Sequence, residues 1–444
     1  MTTKIFRDPL YNYVSIDRST DEWLIRLLDS REVQRLRRVH QLGISNFTYP
    51  GAEHSRLSHS LGVLHLMQVA CDQLLDLFPD AQVRSARPVL LAAALLHDVG
   101  HGPFSHVFEP CLNVDHEEWS KRIILNPECE CHKILAGVDR FLPQRVADLI
   151  DPHNHDDPSW MKYLLSSQLD VDRLDYLRRD SFFSGAGYGH YDWYRILNSF
   201  RLFGNDDADR TIVWPIKSAM AVEEYVFARY YMYQNVYLHK TTRGFEKMLV
   251  AMWERARSNG ADDADLVPAI KEFWSADSPS VSQYLAIEEF TVLQQIQAWT
   301  KHADPVLQDL ATRFLSRQRF AAIDAPNRLL EIGRGEFSDE EYDRWDKAVG
   351  DAVTKHGFDA SVYCLRDTVK PKYHQPYLPE KEGDEQSAKN AIRILVNDDS
   401  DPVEITQLCP RLQPLTYDGL GRVRHFVPQE AKASISVIRN SLAV

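Results

Sequence analysis

Leu95-Leu96-His97-Asp98-Val99-Gly100-His101-Gly102-Pro103 is the stretch on which the reading of this chain turns. It closes an apolar run, Val89 to Leu96, that predicts a fully buried helix over Arg87 to Asp98, too short to cross a membrane. A His followed at once by an Asp at the end of such a helix is costly unless the pair is partnered or holds a metal. Gly100, Gly102 and Pro103 then redirect the chain. His59 lies 38 residues before His97, and Asp172 lies 74 residues after Asp98. Two imidazoles and two carboxylates suit a divalent first-row cation and leave positions open for water and a phosphate oxygen. Mg, Mn, Fe, Ni and Zn are all compatible with that donor set.

Histidines continue past the dyad. His101, His106 and Asp115-His116-Glu117-Glu118 follow within twenty residues, a density that fits a polar cleft better than an apolar core. Upstream stand Lys4-Ile5-Phe6-Arg7-Asp8-Pro9, Gln34-Arg35-Leu36-Arg37, Gln41-Leu42-Gly43, Tyr49-Pro50-Gly51-Ala52 and His59-Ser60-Leu61-Gly62-Val63. Downstream are Asp170-Val171-Asp172, Asp175-Tyr176 and Tyr237-Leu238-His239-Lys240. These blocks, in this order over roughly residues 4–245, resemble the HD-domain deoxynucleoside triphosphate triphosphohydrolases, in particular the sterile-alpha-motif-and-HD-domain branch and its dGTP-responsive bacterial relatives. The resemblance starts almost at Met1, which implies no preceding sterile alpha motif domain.

The resemblance implies a role for each matching position. His59, His97, Asp98 and Asp172 would be the metal ligands. His116 would protonate the leaving nucleoside oxygen, with His101 and His106 lining the phosphate site. Arg56 and Arg229 would hold substrate phosphates, for which a guanidinium offers forked donors, and Arg173 would also lie at the substrate. Gln41, Leu42, Tyr176, Asp180 and Tyr237 would surround the nucleoside. Tyr176 and Leu42 would exclude a ribose 2′ hydroxyl, and Gln41 and Asp180 would bond the 3′ hydroxyl. Asp29, Gln34 and Arg37 match guanine-reading residues of an effector site at a subunit interface, with Lys4, Lys217, His239 and Lys240 toward the effector phosphates. This chain departs from the animal enzyme at Arg173, Glu109 and Leu174, which stand for Lys, Asp and Trp. Leu174 puts base preference in doubt. Arg7, Pro215 and Ala221 replace residues of a second effector pocket. The expected effector is therefore dGTP or GTP at one guanine-selective site, in a homo-oligomer such as a tetramer or dimer of dimers.

The chain has 444 residues, 44% hydrophobic and 26% charged, an ordinary globular composition. Residues 1–20 lack an apolar run, so a cytoplasmic protein without a signal peptide or membrane span is expected. Six Cys argue against a disulfide scaffold, and Cys129-Glu130-Cys131-His132 lacks the spacing of a zinc clip. The net charge of −13 disfavours general nucleic-acid binding, although Arg31, Arg35, Arg37 and Arg38 form a local basic patch in sequence.

The expected fold class is mainly α: an all-helical HD metal-hydrolase core with a smaller α/β C-terminal lobe. Periodicity predicts a helix over Ser58 to Leu77, stopped by Pro79, with His59 in its first turn. Asp170 to Asp180 reads as helix, Phe182 to Tyr191 as a glycine-rich loop, and Ala219 to Ala256 as a long aromatic-rich helical stretch. His153 to Pro158 reads as a surface loop. The division expected is 1–255 for the catalytic core, 256–355 for a helical region and 356–444 for the lobe. Within the lobe, Ser361 to Leu365 and Ile392 to Val396 read as strands and Glu380 to Glu385 as a charged linker. The reaction expected is cleavage of a dNTP to deoxynucleoside and inorganic triphosphate. Two rivals stay open: action on another phosphate ester (a nucleoside monophosphate, an alarmone or a nucleic-acid end), and a nucleotide sensor with little turnover.

Overall fold

In the computed structural model, the apolar run ahead of His97 forms the helix Ala81–Leu96, whose residues from Val89 to Leu96 are buried throughout. The helix starts earlier than Arg87, so Pro88 lies inside it and forgoes one backbone donor. The structure describes all residues except 1, 79–80, 154–157, 205–209, 260–265, 327–337, 370–376, 380–390, 398–399, 417–421 and 443–444. Pro79, most of the His153 to Pro158 loop and the Glu380 to Glu385 linker thus fall outside the described residues. None of the described helices is long and apolar enough to cross a membrane.

The chain divides into two compact units. The first comprises Met1–Val236, Ser278–Glu289 and Pro376–Tyr417. The second comprises Tyr237–Asp277, Phe290–Gln375 and Asp418–Val444. Segments are interleaved along the sequence, a different partition from linear divisions at 255 and 355.

Helices dominate the first unit. Arg56–Leu77 packs on Ala81–Leu96 and on Val171–Ser184, and His116–Leu125 packs on Leu142–Ile150. Strands β1 (Thr3–Asp8) and β2 (Asn12–Asp17) form an antiparallel hairpin with Phe6 opposite Val14. Strands β3 (Arg201–Phe203) and β4 (Thr211–Pro215) join β7 (Arg393–Leu395) and β8 (Val403–Glu404) in the order β3-β4-β7-β8, with β4 and β7 parallel. The second unit combines helices with a sheet of β5 (Ala321–Asp324), β9 (Arg422–Val427) and β6 (Leu365–Val369). The mainly α class with a smaller α/β part therefore holds. The two strands expected in one lobe nevertheless enter different sheets. Ser361 to Tyr363 is a helical turn capped by Asp359, and the strand begins at Leu365. Phe182 and Phe183 extend the Val171–Ser184 helix, which ends only at Gly185 with φ +70°, so the loop is shorter than expected. The Ala219 stretch is broken by a wide π turn at Tyr233–Tyr237.

Within the first unit, Ser278–Glu289 buttresses the loop after His97. The Tyr284 hydroxyl donates to the Gly100 carbonyl, and its ring stacks on Trp119. Glu289 is buried and accepts from the backbone N–H of Phe104 at 3.1 Å and of His40 at 2.8 Å. Arg35 is not part of a surface basic patch: it is 2% exposed and donates to the carbonyls of His101 at 2.7 Å and Ile287 at 3.0 Å. Carbonyls turned inward by the loop need a strong donor, and a guanidinium serves two at once. Arg38 is likewise engaged, with Glu288.

Two outcomes follow from this buttress. Arg35→Ala, which strands two buried carbonyls, is expected to cost about 2–4 kcal/mol, read as a lowered thermal midpoint. His40 is held by Glu289, against an opposing effect of burial, and its pKa rises to about 9. Its folded value exceeds the unfolded one, so this contribution is complete below pH ~6.5 and fades as pH passes 9. The stability gap between wild type and His40→Gln should therefore shrink between pH 6 and pH 10 in denaturant titrations. A gap constant across that range would contradict the assignment.

Candidate metal centre and substrate pocket

His59 enters from the first turn of Arg56–Leu77, His97 and Asp98 from the turn after Ala81–Leu96, and Asp172 from the first turn of Val171–Ser184. Asp170 caps that last helix by accepting from the Arg173 N–H at 2.7 Å, which fixes where Asp172 begins. His59 Nε2 lies 3.0 Å from Asp172 Oδ1, 3.3 Å from His97 Nε2 and 3.7 Å from Asp98 Oδ2. His97 Nε2 lies 3.5 Å from Asp98 Oδ1 and 3.6 Å from Asp172 Oδ1. A first-row ion with bonds of ~2.1 Å spaces adjacent ligands by roughly 3.0–3.4 Å, so these edges match a coordination shell.

The ring nitrogens are oriented toward the same point. His59 Nδ1 faces Asp175 Oδ2 at 2.8 Å, and His97 Nδ1 faces the Ala94 carbonyl at 3.0 Å. Each Nδ1 is thus placed to donate to its neighbour, which turns both Nε2 atoms toward the carboxylates, where a bound cation would take the place of a proton. Burial opposes charge on His59, yet bonds to Asp172 and Asp175 raise its pKa to about 10. Burial likewise opposes ionisation of Asp98, but Arg56, His97 and His101 hold its carboxyl well below the ordinary range. His59, His97 and Asp98 bring their donor atoms within 4.8 Å of one another, a group that could hold a metal ion, and Asp172, 26% exposed, borders it through His59 and His97.

Behind His59 stands a buried network that sequence reasoning did not single out. Asp175 also pairs with Arg179, at 2.8 and 2.9 Å, and accepts from the Tyr11 hydroxyl at 2.8 Å. Arg179 reaches Asp8 at 2.8 Å. Asp175 and Arg179 are wholly buried. Gly62 makes room for them: a Cβ there would stand 1.9 Å from Asp175 Oδ1 and 2.4 Å from Arg179 Nη2. The available signal was Asp-x-x-x-Arg on one helix face opposite a glycine one turn after His59.

The loop after the dyad carries the other histidines. Gly100 lets the His116–Leu125 helix close on it, since a Cβ would meet the His116 carbonyl at 2.2 Å and Ser120 N at 2.3 Å. Phe104 and Ser105 both sit at φ +55°, a strained conformation for side-chain-bearing residues, held by Glu289 and by Arg56 Nε on Ser105 Oγ at 3.0 Å. The His101 and His116 rings stack at 3.9 Å, and His106 packs edge-on to both at 4.9 Å. Glu109, missed as a participant, lies 2.7 Å from His116 Nδ1 and 3.2 Å from His106 Nδ1. Burial works against its charge, but His106 and His116 pull its pKa far down.

Arg56 is engaged with Asp98 as well as Ser105. Tyr176 approaches His59 with ring centroids 6.4 Å apart, and Arg173 and Arg229 both act on its hydroxyl electrostatically. Arg229 is 7% exposed and pairs with no carboxylate among the described residues; it donates to the Gln168 carbonyl at 3.5 Å and hydrogen-bonds the Tyr233 hydroxyl. Gln41 Oε1, Arg173 Nε and Arg229 Nε are buried without hydrogen-bond partners. Leu42 is half-buried nearby in sequence. Asp180 is buried and faces His54 Nε2 at 2.8 Å, so one of its oxygens is already occupied. Tyr237, His239 and Lys240 open the second unit.

Of the residues matched to an effector site, Gln34 and Arg37 meet each other at 2.7 Å, while the Gln34 amide donates to Leu28 O at 2.8 Å. Asp29 and Lys217 are exposed, and Lys4 on β1 is half-buried. The Cys131 and His132 side chains bond to the Ile123 and Ile124 carbonyls.

Comparison with known proteins agrees with this geometry. The HD domain family model matches residues 56–180. The chain is 35% identical over 381 residues to the uncharacterized protein YwfO of Bacillus subtilis, covering 85% of this chain and 82% of that protein. It is 26% identical over 287 residues to the human deoxynucleoside triphosphate triphosphohydrolase SAMHD1, covering 57% of this chain and 45% of that enzyme. The match therefore spans about half the length of the enzyme with a named activity. Among solved structures, the phosphohydrolase BT4208 of Bacteroides thetaiotaomicron superposes with a TM-score of 0.76 at 26% identity, over 96% of this chain and 99% of that one.

Asp175→Asn is expected to weaken divalent-metal affinity by about 10–100-fold, because the orienting carboxylate of His59 is lost. Metal titration read by calorimetry tests this, and unchanged affinity would remove the buttress from the account.

Proposed function

This chain belongs to the HD-domain, dNTPase-like family, and we propose that it hydrolyses dNTPs to deoxynucleoside and inorganic triphosphate. Its HD phosphohydrolase character follows from the family; the substrate is our reading. The observation that carries it is Arg229, a buried guanidinium with no carboxylate partner among the described residues and an unpaired Nε, beside Arg173 and the Tyr176 hydroxyl. A buried guanidinium without a carboxylate partner is what a phosphate group would neutralise, and Arg173 beside it is already paired with Asp170.

His59, His97, Asp98 and Asp172 would hold a divalent cation, which when bound supplies an activated water and offsets phosphate charge. Arg173 and Arg229 bind the phosphate chain, with Arg56 drawn on as its pairing with Asp98 relaxes. Water attacks the α-phosphorus, and the bond to the 5′ oxygen breaks. His116 gives that oxygen its proton, and Glu109 orients the imidazole. Tyr176 and Leu42 crowd the 2′ carbon, while Gln41 Oε1, buried and unpaired, accepts from the 3′ hydroxyl with Asp180.

Regulation belongs to the same proposal. A dGTP or GTP effector would be read by Asp29, Gln34 and Arg37 between subunits of a homo-oligomer, with Lys4, Lys217, His239 and Lys240 on its phosphates. Asp29 is exposed and could meet guanine directly, whereas Gln34, bonded to Leu28 O and Arg37, would exchange those partners on binding.

Product analysis tests the reading. Wild type with Mg or Mn should release deoxynucleoside and triphosphate from dNTPs, faster with dGTP or GTP added. His97→Ala should abolish this, and His116→Ala should lower kcat by about 10²–10⁴-fold. Orthophosphate from nucleoside monophosphates, with dNTPs untouched, would move the substrate to the other phosphate-ester class.

A further inference from the structure

We infer that His101, His106, His116 and Glu109 form a second metal site, selective for a zinc-class ion and separate from the His59–His97–Asp98–Asp172 centre. Three imidazole Nδ1 atoms converge on one carboxylate oxygen: Glu109 Oε1 is 2.7 Å from His116, 3.2 Å from His106 and 3.9 Å from His101. All four donor atoms fall within 4.8 Å of one another. Tetrahedral zinc with bonds of ~2.0–2.1 Å places its ligands roughly 3.3 Å apart, in the middle of those three spacings.

His101 supplies the independent observation. It is 1% exposed, and its Nε2 faces Asp98 Oδ1 at 3.2 Å. Its proton belongs on that nitrogen, so Nδ1 presents a bare lone pair to Glu109. That Nδ1 is buried and has no hydrogen-bond partner among the described residues. A buried acceptor aimed at a carboxylate is repulsive until a cation lies between them. Glu109 and His106 leave the site reachable: His106 is 66% exposed at its side chain. Imidazole-rich, carboxylate-poor donors favour Zn, Co or Ni over Mg.

Occupancy takes His116 out of proton transfer, so the site is inhibitory. That consequence rests on the function proposed above; the binding itself does not. Cobalt substitution separates the two. Wild-type protein loaded with Co²⁺ should hold two ions per chain by elemental analysis, one with the intense visible absorption of tetrahedral cobalt. His106→Ala, at an exposed position safe for folding, should lose that absorption and one ion. His59→Ala should lose the other ion and keep the absorption. Micromolar Zn²⁺ should inhibit wild type at least 10-fold more strongly than His106→Ala in any hydrolysis the protein performs. A single ion per chain, or a second ion and spectrum untouched by both His106→Ala and Glu109→Gln, would overturn the site. Failure to hydrolyse dNTPs would sink the substrate reading while leaving the ion count intact.

Discussion

His59 Nδ1 against Asp175 is the contact on which the rest of this site depends. It decides which imidazole nitrogen faces inward, and so whether three chain segments far apart in sequence can share one cation. Asp175 can stay ionised in a dry interior only because Arg179 and the Tyr11 hydroxyl surround it, and Arg179 only because Asp8 closes the chain of charges. Removing one member of such a network strands a buried charge, a cost of about 3–5 kcal/mol. Gly62 follows from the same requirement, since only a residue without Cβ lets the His59 helix lie against that ion pair. The hairpin at the start of the chain thereby takes part in the centre without touching it.

A second constraint acts on the loop between the two helices that flank the dyad. Its backbone turns inward at Phe104 and Ser105 with positive φ, which is unfavourable, so its carbonyls and N–H groups need outside partners. Arg35, Tyr284 and Glu289 supply them from segments that sequence distance would not connect. The result is a stack of imidazoles on one carboxylate, next to but not within the donor set of the dyad. Proximity of an acid–base group to a cation is useful for phosphoryl chemistry. It also makes the group vulnerable to a metal of its own.

The metal donors were legible because their chemistry is local. A His-Asp pair after a buried apolar run, and a His in the first turn of another amphipathic helix, announce themselves by type and position. Asp172 was legible because Asp170 and the helix behind it set its face. Arg35 misled for the same reason that it matters: four arginines in eight residues read as a basic patch, while the fold buries the one whose direction meets two inward carbonyls. Glu109, Asp175 and Arg179 were missed as actors because their roles exist only through partners brought together in space. The strands failed in a similar way. Short apolar runs such as Ile392 to Val396 show that a strand exists, but its neighbours in the sheet come from far away, here β4 and β8.

The measurement that bears most directly on this account is a crystal structure of metal-loaded protein with anomalous scattering recorded at the metal edge. The account places an anomalous peak bonded by Nε2 of His59 and of His97 and by carboxylate oxygens of Asp98 and Asp172, with His59 Nδ1 still on Asp175. A peak elsewhere with that centre empty, or His59 turned to ligate through Nδ1, would contradict it.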